Sequence, residues 1–269
     1  MSSTLIASHT MPIGATMAPH APTLHLAHRG LEKLALVIPT LCEAGNIGNL
    51  LNDVRCVLEP LHVPYEILVV DDDSCDGTGA VVAAIAQHDP RVRLLVRKGE
   101  RGLSGAILHG WQRTDATVLA VMDADLQHPP ELLPYLIEAM EEGRDLVIGS
   151  RYTPGGDLGQ WNPMRRLLSA AAVWVTLPLQ KKQLRAKDPM SGFFMVRRRC
   201  LPEATFQTSG FKLLLEILVR GEFESVKEVP FAFGLRYRGA SKANCKVAWD
   251  YGRLLMRLYA GKLGFGVRA

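Results

Sequence analysis

The sequence predicts an α/β fold, a mainly parallel central sheet with helices on both faces. Three observations predict it: continuous apolar runs of strand length recur, stretches of helical period separate them, and the turns after the runs are polar and acidic. Such alternation makes βαβ units, whose crossovers lay consecutive strands parallel and helices against the sheet. The chain has 269 residues, 48% apolar and 22% charged, with a formal net charge of +4. That length supports a sizeable core, and the composition excludes collagen-like, disulfide-scaffold and wholly disordered classes.

Residues 1–30, rich in Ala, Ser, Thr, His and Pro, read as a floppy extension; His9, His20, His25 and His28 are too irregularly spaced for a metal site. No Lys or Arg precedes the first apolar stretch, so no secretory leader is expected. The first strand is the run Leu34-Ala35-Leu36-Val37-Ile38, ending at Pro39. Ile47, Leu50, Leu51, Val54 and Leu58 then repeat at helical spacing, predicting a helix over 46–58. Further strands are expected at 66–70, 92–96, 117–122 and 145–148, with helices at 78–87, 104–111, 131–141 and 164–176. Asp76, and by the same reading Asp73, suit helix N-caps, whereas Asp123 and Asp125, ahead of Pro129-Pro130, do not. One domain is expected over 31–245, followed by a basic amphipathic segment at 246–269. The weakly polar run 167–179 is shorter than the roughly 20 residues of a spanning helix. Five scattered cysteines without a C-x-x-C pair fit neither zinc nor a disulfide framework and suit the cell interior.

In parallel sheets ligands bind outside the carboxyl ends of the strands. Here those ends read Pro39-Thr40-Leu41-Cys42-Glu43, Asp71-Asp72-Asp73-Ser74, Asp123-Ala124-Asp125-Leu126-Gln127 and Gly149-Ser150-Arg151-Tyr152. Carboxylates gathered there repel one another and call for a cation or a cationic ligand. In the D-x-D of Asp123 and Asp125, residues two apart on extended chain point the same way, and Gln127 keeps the parity. Such oxygen ligands suit Mg²⁺ or Mn²⁺. One carboxylate of Asp71-Asp72-Asp73 can accept hydrogen bonds from a base or ribose. Gly99, Gly102 and Gly105 lack the dinucleotide spacing and read as a turn entering a helix; no phosphate-binding P-loop occurs, which sets aside oxidoreductases and P-loop kinases.

Among the cations, Arg151 sits beside the same crevice, Arg165 and Ser169 share a helix face, and Arg236 to Lys242 form a glycine-containing basic loop suited to a pyrophosphate. From Arg236 onward eight basic residues face a single acid, Asp250, with Val247, Trp249, Tyr251, Leu254, Leu255, Leu258 and Tyr259 interleaved. That pattern fits an anionic membrane surface, and equally a helix packed on the domain. Basic residues are not gathered around stacking aromatics, so no nucleic acid is expected.

Val37-Ile38-Pro39-Thr40-x-x-Glu43, Val69-Val70-Asp71-Asp72-x-Ser74-x-Asp76-Gly77-Thr78 and Met122-Asp123-Ala124-Asp125-Leu126-Gln127-His128-Pro129-Pro130 resemble inverting glycosyltransferases of family 2. With Gly149-Ser150-Arg151-Tyr152, Ser191-Gly192-Phe193 and Arg236 to Lys242, their order is most similar to dolichol-phosphate (polyprenol-phosphate) mannose synthases, over residues 34–245. The resemblance implies a GT-A fold. It implies that Pro39, Leu41, Glu43, Val70 and Asp72 hold the nucleoside, that Asp123, Ala124, Asp125 and Gln127 hold metal and diphosphate, and that Arg236 and Lys242 contact the phosphates. It gives the lipid phosphate to Arg151, Arg165 and Ser169. Leu41 stands where relatives often carry an aromatic residue and Phe194 where a basic one is common, positions that bear on donor or acceptor choice.

The expected reaction moves mannose from GDP-mannose to a polyprenyl or dolichyl monophosphate on the cytoplasmic face of a membrane. A monophosphate is largely dianionic at neutral pH and needs no general base, whereas a sugar or protein hydroxyl does. The motifs offer only His128 as a base, with mid-helix Glu216 the candidate for a hydroxyl acceptor. A UDP-glucose or other UDP-sugar donor, a non-catalytic nucleotide-sugar scaffold and a separate membrane-anchoring subunit stay open on sequence alone.

Overall fold

The computed structural model describes residues 31–157, 163–202, 206, 212–232, 234 and 245–263. The extension 1–30, Arg236 and Lys242 lie outside the described residues, as does the side chain of Arg165. The elements in chain order are β1 (Leu34–Thr40), α1 (Ala44–Leu58), β2 (Tyr65–Asp71), α2 (Thr78–Ala86), β3 (Val92–Val96), α3 (Leu103–Trp111), β4 (Val118–Val121) and α4 (Leu133–Glu141). Then follow β5 (Leu146–Ser150), α5 (Pro163–Thr176), β6 (Phe194–Arg197), α6 (Leu213–Arg220), β7 (Val226–Pro230) and α7 (Cys245–Lys262).

The strands described form one seven-stranded sheet in the order β3-β2-β1-β4-β6-β5-β7. The chain lays β2 and β3 on one side of β1, then crosses to place β4 on the other, so a topological switch point opens beside β1. The register pairs Thr40 with Asp71 and Val37 with Val121. The loops after β1, β2 and β4 therefore leave from one edge, and those of β2 and β4 stand about 10 Å apart across β1.

Apolar residues fill both faces, which is why the strands read as unbroken runs. Leu36, Ile38, Ile67, Val69, Ala120 and Met122 meet α1, α2 and α4. Ala35, Val37, Leu68, Val70, Leu119 and Val121 face the opposite way and pack with residues of α3 and α6. β1 continues past the expected stop at Pro39 to Thr40. The Thr40 carbonyl accepts from the Asp72 N–H and the Val37 carbonyl from the Met122 N–H, so alternate residues face β2 and β4. Pro39 thus faces the β4 side just beyond the end of that ladder, where its missing N–H costs no pairing.

β6 is the one antiparallel strand described, inserted between β4 and β5. Its reversal has a consequence for the site: the loop before β6, not the one after it, arrives at the carboxyl ends of its neighbours. Phe194 belongs to β6 and lies in the core edge-on to Trp111, with ring centroids 6.3 Å apart. The expectation that it tunes donor or acceptor choice is corrected, because its side chain is enclosed by apolar neighbours.

The C-terminal segment forms α7. Leu254 and Leu258 pack with Leu179 and Leu215, and the Tyr251 and Tyr259 hydroxyls donate to the carbonyls of Ala172 and Val175 at 2.6 Å each. One face of α7 is therefore docked on the domain, while Trp249, Met256 and Leu263 remain exposed. Met164, Leu167, Leu168 and Trp174 of α5 are exposed as well. Among the described residues no helix is long and apolar enough to cross a membrane.

Candidate active site at the switch point

Three bonds tie the β1 exit to the β2 exit. The Cys42 N–H donates to Ser74 Oγ at 2.8 Å, the Glu43 N–H to Thr78 Oγ1 at 2.9 Å and the Ala44 N–H to Asp76 Oδ2 at 3.0 Å. Asp76 also accepts from the Thr78 N–H at 3.1 Å, so one carboxylate serves the starts of α1 and α2 together. Asp73 is no cap: it is exposed, with φ 55°, outside any helix. Pro39 and Val70 are buried beneath these loops, while Leu41 and Glu43 are half-buried, the Glu43 carboxylate accepting from Asn46 Nδ2 at 2.8 Å.

Asp72 is already answered within the protein. Its carboxylate accepts from Arg97 Nε at 2.7 Å and from the Gly102 N–H at 2.8 Å. The glycine turn is built around this pair: Gly99 and Gly102 take positive φ, and a Cβ on Gly105 would stand 2.6 Å from Arg97 Nη1. The expected turn into a helix is confirmed, with Gly102 as the N-cap of α3. The expectation that every acidic strand end needs an outside cation is corrected at Asp72, since Arg97 supplies the charge.

The D-x-D follows β4 directly. The Asp123 N–H donates to His128 Nδ1 at 3.3 Å, and Asp125 Oδ1 accepts from the Gln127 N–H at 3.2 Å. Leu126 makes the turn at φ 62°. Gln127 Nε2 donates to the Gly234 carbonyl at 3.1 Å, which leaves the amide oxygen as its acceptor end. Asp123, Asp125 and Gln127 are half-buried, and Ala124 is buried. Gly192, from the loop before β6, lies against Asp123: a Cβ there would stand 2.5 Å from Oδ2. His128 is 2% exposed and packs against Phe193 and Phe231, with ring centroids at 5.3 and 5.6 Å. Burial pushes its pKa down to about 4. The candidate base is thus a neutral, enclosed ring that props up the metal motif.

Two carboxylates and an amide oxygen form a hard-ligand set of the kind Mg²⁺ and Mn²⁺ take. Among the described residues no group of three or more His, Cys, Asp or Glu offers a self-sufficient metal site. An ion held here would complete its shell with oxygens from a substrate.

Beside this shelf lies Arg151, just after β5. Its Nε and Nη2 donate to Asp188 at 2.7 and 2.8 Å, and its backbone N–H to the same carboxylate at 3.1 Å. Asp188 is fully buried, and Glu228 fixes its loop by accepting from the N–H groups of Lys187 and Asp188 at 2.9 and 3.0 Å. Burial opposes the Arg151 charge, but the Asp188 bonds outweigh it and raise the pKa. The Arg151 guanidinium lies 5.9 Å from the centroid of the Tyr152 ring, whose hydroxyl donates to Ser169 Oγ at 2.7 Å. Lys212, the N-cap residue of α6, lies within electrostatic reach of Arg151, Asp123 and Asp188. Burial and then Arg151 lower its pKa. Glu216 is buried and paired with Arg220 at 3.3 Å, so it offers no exposed base.

The structure therefore brings Asp123, Asp125, Gln127 and Arg151 together and links Ser169 to them through Tyr152. Sequence reasoning missed Arg97, Asp188 and Lys212. Signals existed for two of them: Asp188-Pro189-Met190-Ser191-Gly192 is an acidic turn ahead of an apolar strand, and Lys212 is a lone cation heading an apolar helix.

Residues 35–204 match the family described as glycosyl transferase family 2. A dolichol-phosphate mannosyltransferase of Pyrococcus furiosus is 42% identical over 226 residues, 84% of this chain and 63% of that protein. The chain thus spans less than two thirds of the length of that relative. A dolichol-phosphate mannosyltransferase of Saccharomyces cerevisiae is 37% identical over 240 residues, 86% of this chain and 88% of that one. Among solved structures, glucosyl-3-phosphoglycerate synthase from Mycobacterium tuberculosis, crystallised with Mn²⁺, UDP-glucose and phosphoglyceric acid, aligns with TM-score 0.65 at 18% identity, covering 91% of this chain and 86% of that one. That likeness shows the fold, which is of the GT-A type. With a family match over most of its sheet and two relatives above 30% identity, the chain belongs to glycosyl transferase family 2 and is a glycosyltransferase.

Proposed function

We propose that this chain moves mannose, with inversion, from GDP-mannose to a polyprenyl or dolichyl monophosphate at the cytoplasmic face of a membrane. The observation that supports the reading is a crevice in which the carboxylates of Asp123 and Asp125 stand near the Arg151–Asp188 pair, while the two bases that the sequence offered for a hydroxyl acceptor are withdrawn from it. His128 and Glu216 are both buried. A hydroxyl acceptor needs a group to take its proton, whereas a phosphate dianion attacks without one. The names of the two mannosyltransferase relatives agree with mannose as the sugar and dolichol phosphate as its acceptor.

In this reading Pro39, Leu41, Glu43 and Val70 hold the nucleoside, and Asp72 acts by seating Arg97 beside it. Asp123, Asp125 and Gln127 hold Mg²⁺ or Mn²⁺, which when bound stabilises the charge on the departing nucleoside diphosphate. Arg236 and Lys242 take the donor phosphates. Arg151, Arg165 and Ser169 receive the lipid phosphate, with Asp188 keeping Arg151 in place. The exposed apolar side chains of α5 and α7 supply a membrane-facing surface. The same surface suits a separate anchoring subunit, and binding to protein-free vesicles would show that none is required.

The test is transfer of radiolabelled sugar to a polyprenyl phosphate, with GDP-mannose and UDP-glucose offered in turn and with Mg²⁺, Mn²⁺ or chelator. Mannose transfer that stops on chelation is expected. Asp125→Ala should lose about 10²-fold or more of that rate while melting like the wild type. Glucose transfer alone would overturn the donor assignment, and wild-type turnover by Asp125→Ala would overturn the metal assignment.

A further inference from the structure

The carboxyl ends of α5, α6 and α7 meet around a cavity of about 460 Å³ that the proposed reaction does not use. Leu179, just past α5, and Leu258 of α7 are buried and form its floor with half-buried Val219. Exposed Lys181, Arg220 and Lys262 stand at its rim, and half-buried Arg257 in its wall. From Ser169 to Thr176, where α5 ends, the helix runs about 10 Å, so the cavity is a place apart from the acceptor residues. Its cations are answered only in part. Glu216 pairs with Arg220 at 3.3 Å. Lys181 Nζ donates to the Gly221 carbonyl at 3.1 Å and lies 5.3 Å from the centroid of Phe223, and Lys262 donates to the Pro178 carbonyl. Those acceptors fix the two ammonium groups without carrying a net charge. Among the described residues no carboxylate lies within 4 Å of Lys181, Arg257 or Lys262, and the Arg257 guanidinium has no hydrogen-bond partner either. Each helix carboxyl end adds about half a negative charge, so the three ends and Glu216 offset little more than half of the four positive charges. Capping of the helices therefore explains part of this cluster and leaves a surplus that an anion would relieve.

The surrounding surface indicates what that anion is attached to. Trp249, Met256 and Leu263 are exposed at seven-residue spacing, along one face of α7, and Leu263 directly follows Lys262. Trp174 and Val175 of α5 are exposed beside them, the Val175 carbonyl accepting from the Tyr259 hydroxyl at 2.6 Å. Resting on the membrane face proposed above, we infer that this cavity binds the headgroup phosphate of an anionic phospholipid. Basic pockets between helices at a bilayer surface take such headgroups, and a cavity of this volume is of ligand size. The Arg257 fork donates to the phosphate oxygens, Lys181 and Lys262 flank them, and Leu179, Val219 and Leu258 meet the first carbons of the glycerol. The lipid is not consumed; once bound, it fixes the carboxyl ends of α5, α6 and α7 on the bilayer.

The experiment compares the whole chain as wild type, as Arg257→Gln and as Arg253→Gln, the control, whose residue is exposed one turn earlier on α7 and does not line the cavity. Calorimetry measures binding of monomeric dihexanoyl phosphatidylglycerol, dihexanoyl phosphatidylcholine and glycerol phosphate. Sedimentation is followed with vesicles of phosphatidylcholine, with and without phosphatidylglycerol. One-to-one binding of the short-chain phosphatidylglycerol is expected, tighter than that of either comparison ligand. Arg257→Gln should weaken it about tenfold or more, the worth of one charge-assisted hydrogen bond, while melting like the wild type. Arg253→Gln should bind it unchanged. Phosphatidylcholine bound as well as phosphatidylglycerol, or an Arg253→Gln variant as impaired as Arg257→Gln, would overturn the site. Glycerol phosphate bound as tightly as the phospholipid would overturn the lipid and make a soluble phosphate ester the occupant. Vesicle binding indifferent to both Arg257 and phosphatidylglycerol would refute the headgroup site and leave the membrane face standing. Monomer binding that depends on Arg257, without sedimentation on any vesicle, would refute the membrane face and leave the headgroup site standing.

Discussion

Replacing Gly192 by alanine adds one methyl group to the loop before β6 and aims it at the metal motif. The new Cβ would stand 2.5 Å from Asp123 Oδ2, 3.0 Å from Cγ and 3.1 Å from Oδ1, so the whole carboxylate is in its path. Gly192 does not have a positive φ, and alanine is tolerated by the backbone. Ordinary contact begins at 3.4 Å, so the carboxylate must retreat by about 0.9 Å. Its backbone cannot follow, because the Asp123 N–H is held by His128 and the preceding Met122 N–H by Val37. The side chain must rotate instead, at about 0.5–1.5 kcal/mol for an off-rotamer torsion, which lowers the melting temperature by only a few degrees. Activity should fall much further. A misplacement near 1 Å in a positioning group costs about 10²-fold, equivalent to about 2.7 kcal/mol of barrier. The assay is steady-state mannosyl transfer against Mn²⁺ concentration, paired with thermal melting. Gly79→Ala, whose Cβ would meet Leu94 only at 3.7 Å, is the control and should behave as wild type. A Gly192→Ala enzyme with wild-type kcat and wild-type metal dependence would refute the claim that this glycine exists to admit the Asp123 carboxylate.

Two further perturbations probe stability and location. Asp89 accepts from Arg91 Nε and Nη2 at 2.9 and 3.0 Å and pairs with Arg55 at 2.8 Å, and the Arg91 bonds hold its carboxyl below the usual 3.8. A depressed carboxyl stabilises the fold above its ordinary value and loses that contribution as pH falls through the folded one. Asp89→Asn should therefore cost about 1.5 kcal/mol at pH 7, the low end for charged hydrogen bonds because both arginines are a third exposed. In denaturant melts the gap to wild type should close below about pH 4, and a gap constant from pH 7 to 3 would refute the linkage. Trp174, 77% exposed on α5, should matter only at a lipid surface. Trp174→Glu should melt like wild type yet sediment less with anionic vesicles, and equal sedimentation would remove α5 from the membrane face.

What the chain discloses locally follows from how its strands are buried. β1, β2 and β4 are enclosed on both faces, so their apolar runs stand out and the acids that follow mark the ligand edge. β7 was missed because Val226-Lys227-Glu228-Val229 is a half-exposed edge strand with charged residues in it. β6 was missed because it is four residues long and runs into three arginines. Missing β6 hid more than a strand. Its reversed direction brings Asp188 and Gly192 to the site, and no local pattern announces which way a strand will be inserted. Partners were hidden for a related reason: Arg97 lies 25 residues from Asp72 and Asp188 lies 37 from Arg151, distances that only the folded sheet closes.

Those hidden partners decide what each charge in the crevice can do. An acid with an arginine against it, such as Asp72 or Asp188, contributes geometry, because its charge is already spent and its rotamer fixed. Arg151, which the family resemblance singled out for the lipid phosphate, is in turn fixed in orientation by Asp188. Asp123 and Asp125 are positioned at the switch point partly by backbone contacts, one N–H given to His128 and one received from Gln127. A reaction between a nucleotide-sugar and a phosphate brings two anionic groups into one small volume, and the protein must counter each separately. In the proposed reaction the carboxylate shelf would do so by holding a metal ion against the diphosphate. On the acceptor side of the proposed reaction Asp188 holds the Arg151 guanidinium through Nε and Nη2 at 2.7 and 2.8 Å, so the orientation of that cation is set by the fold before any substrate arrives.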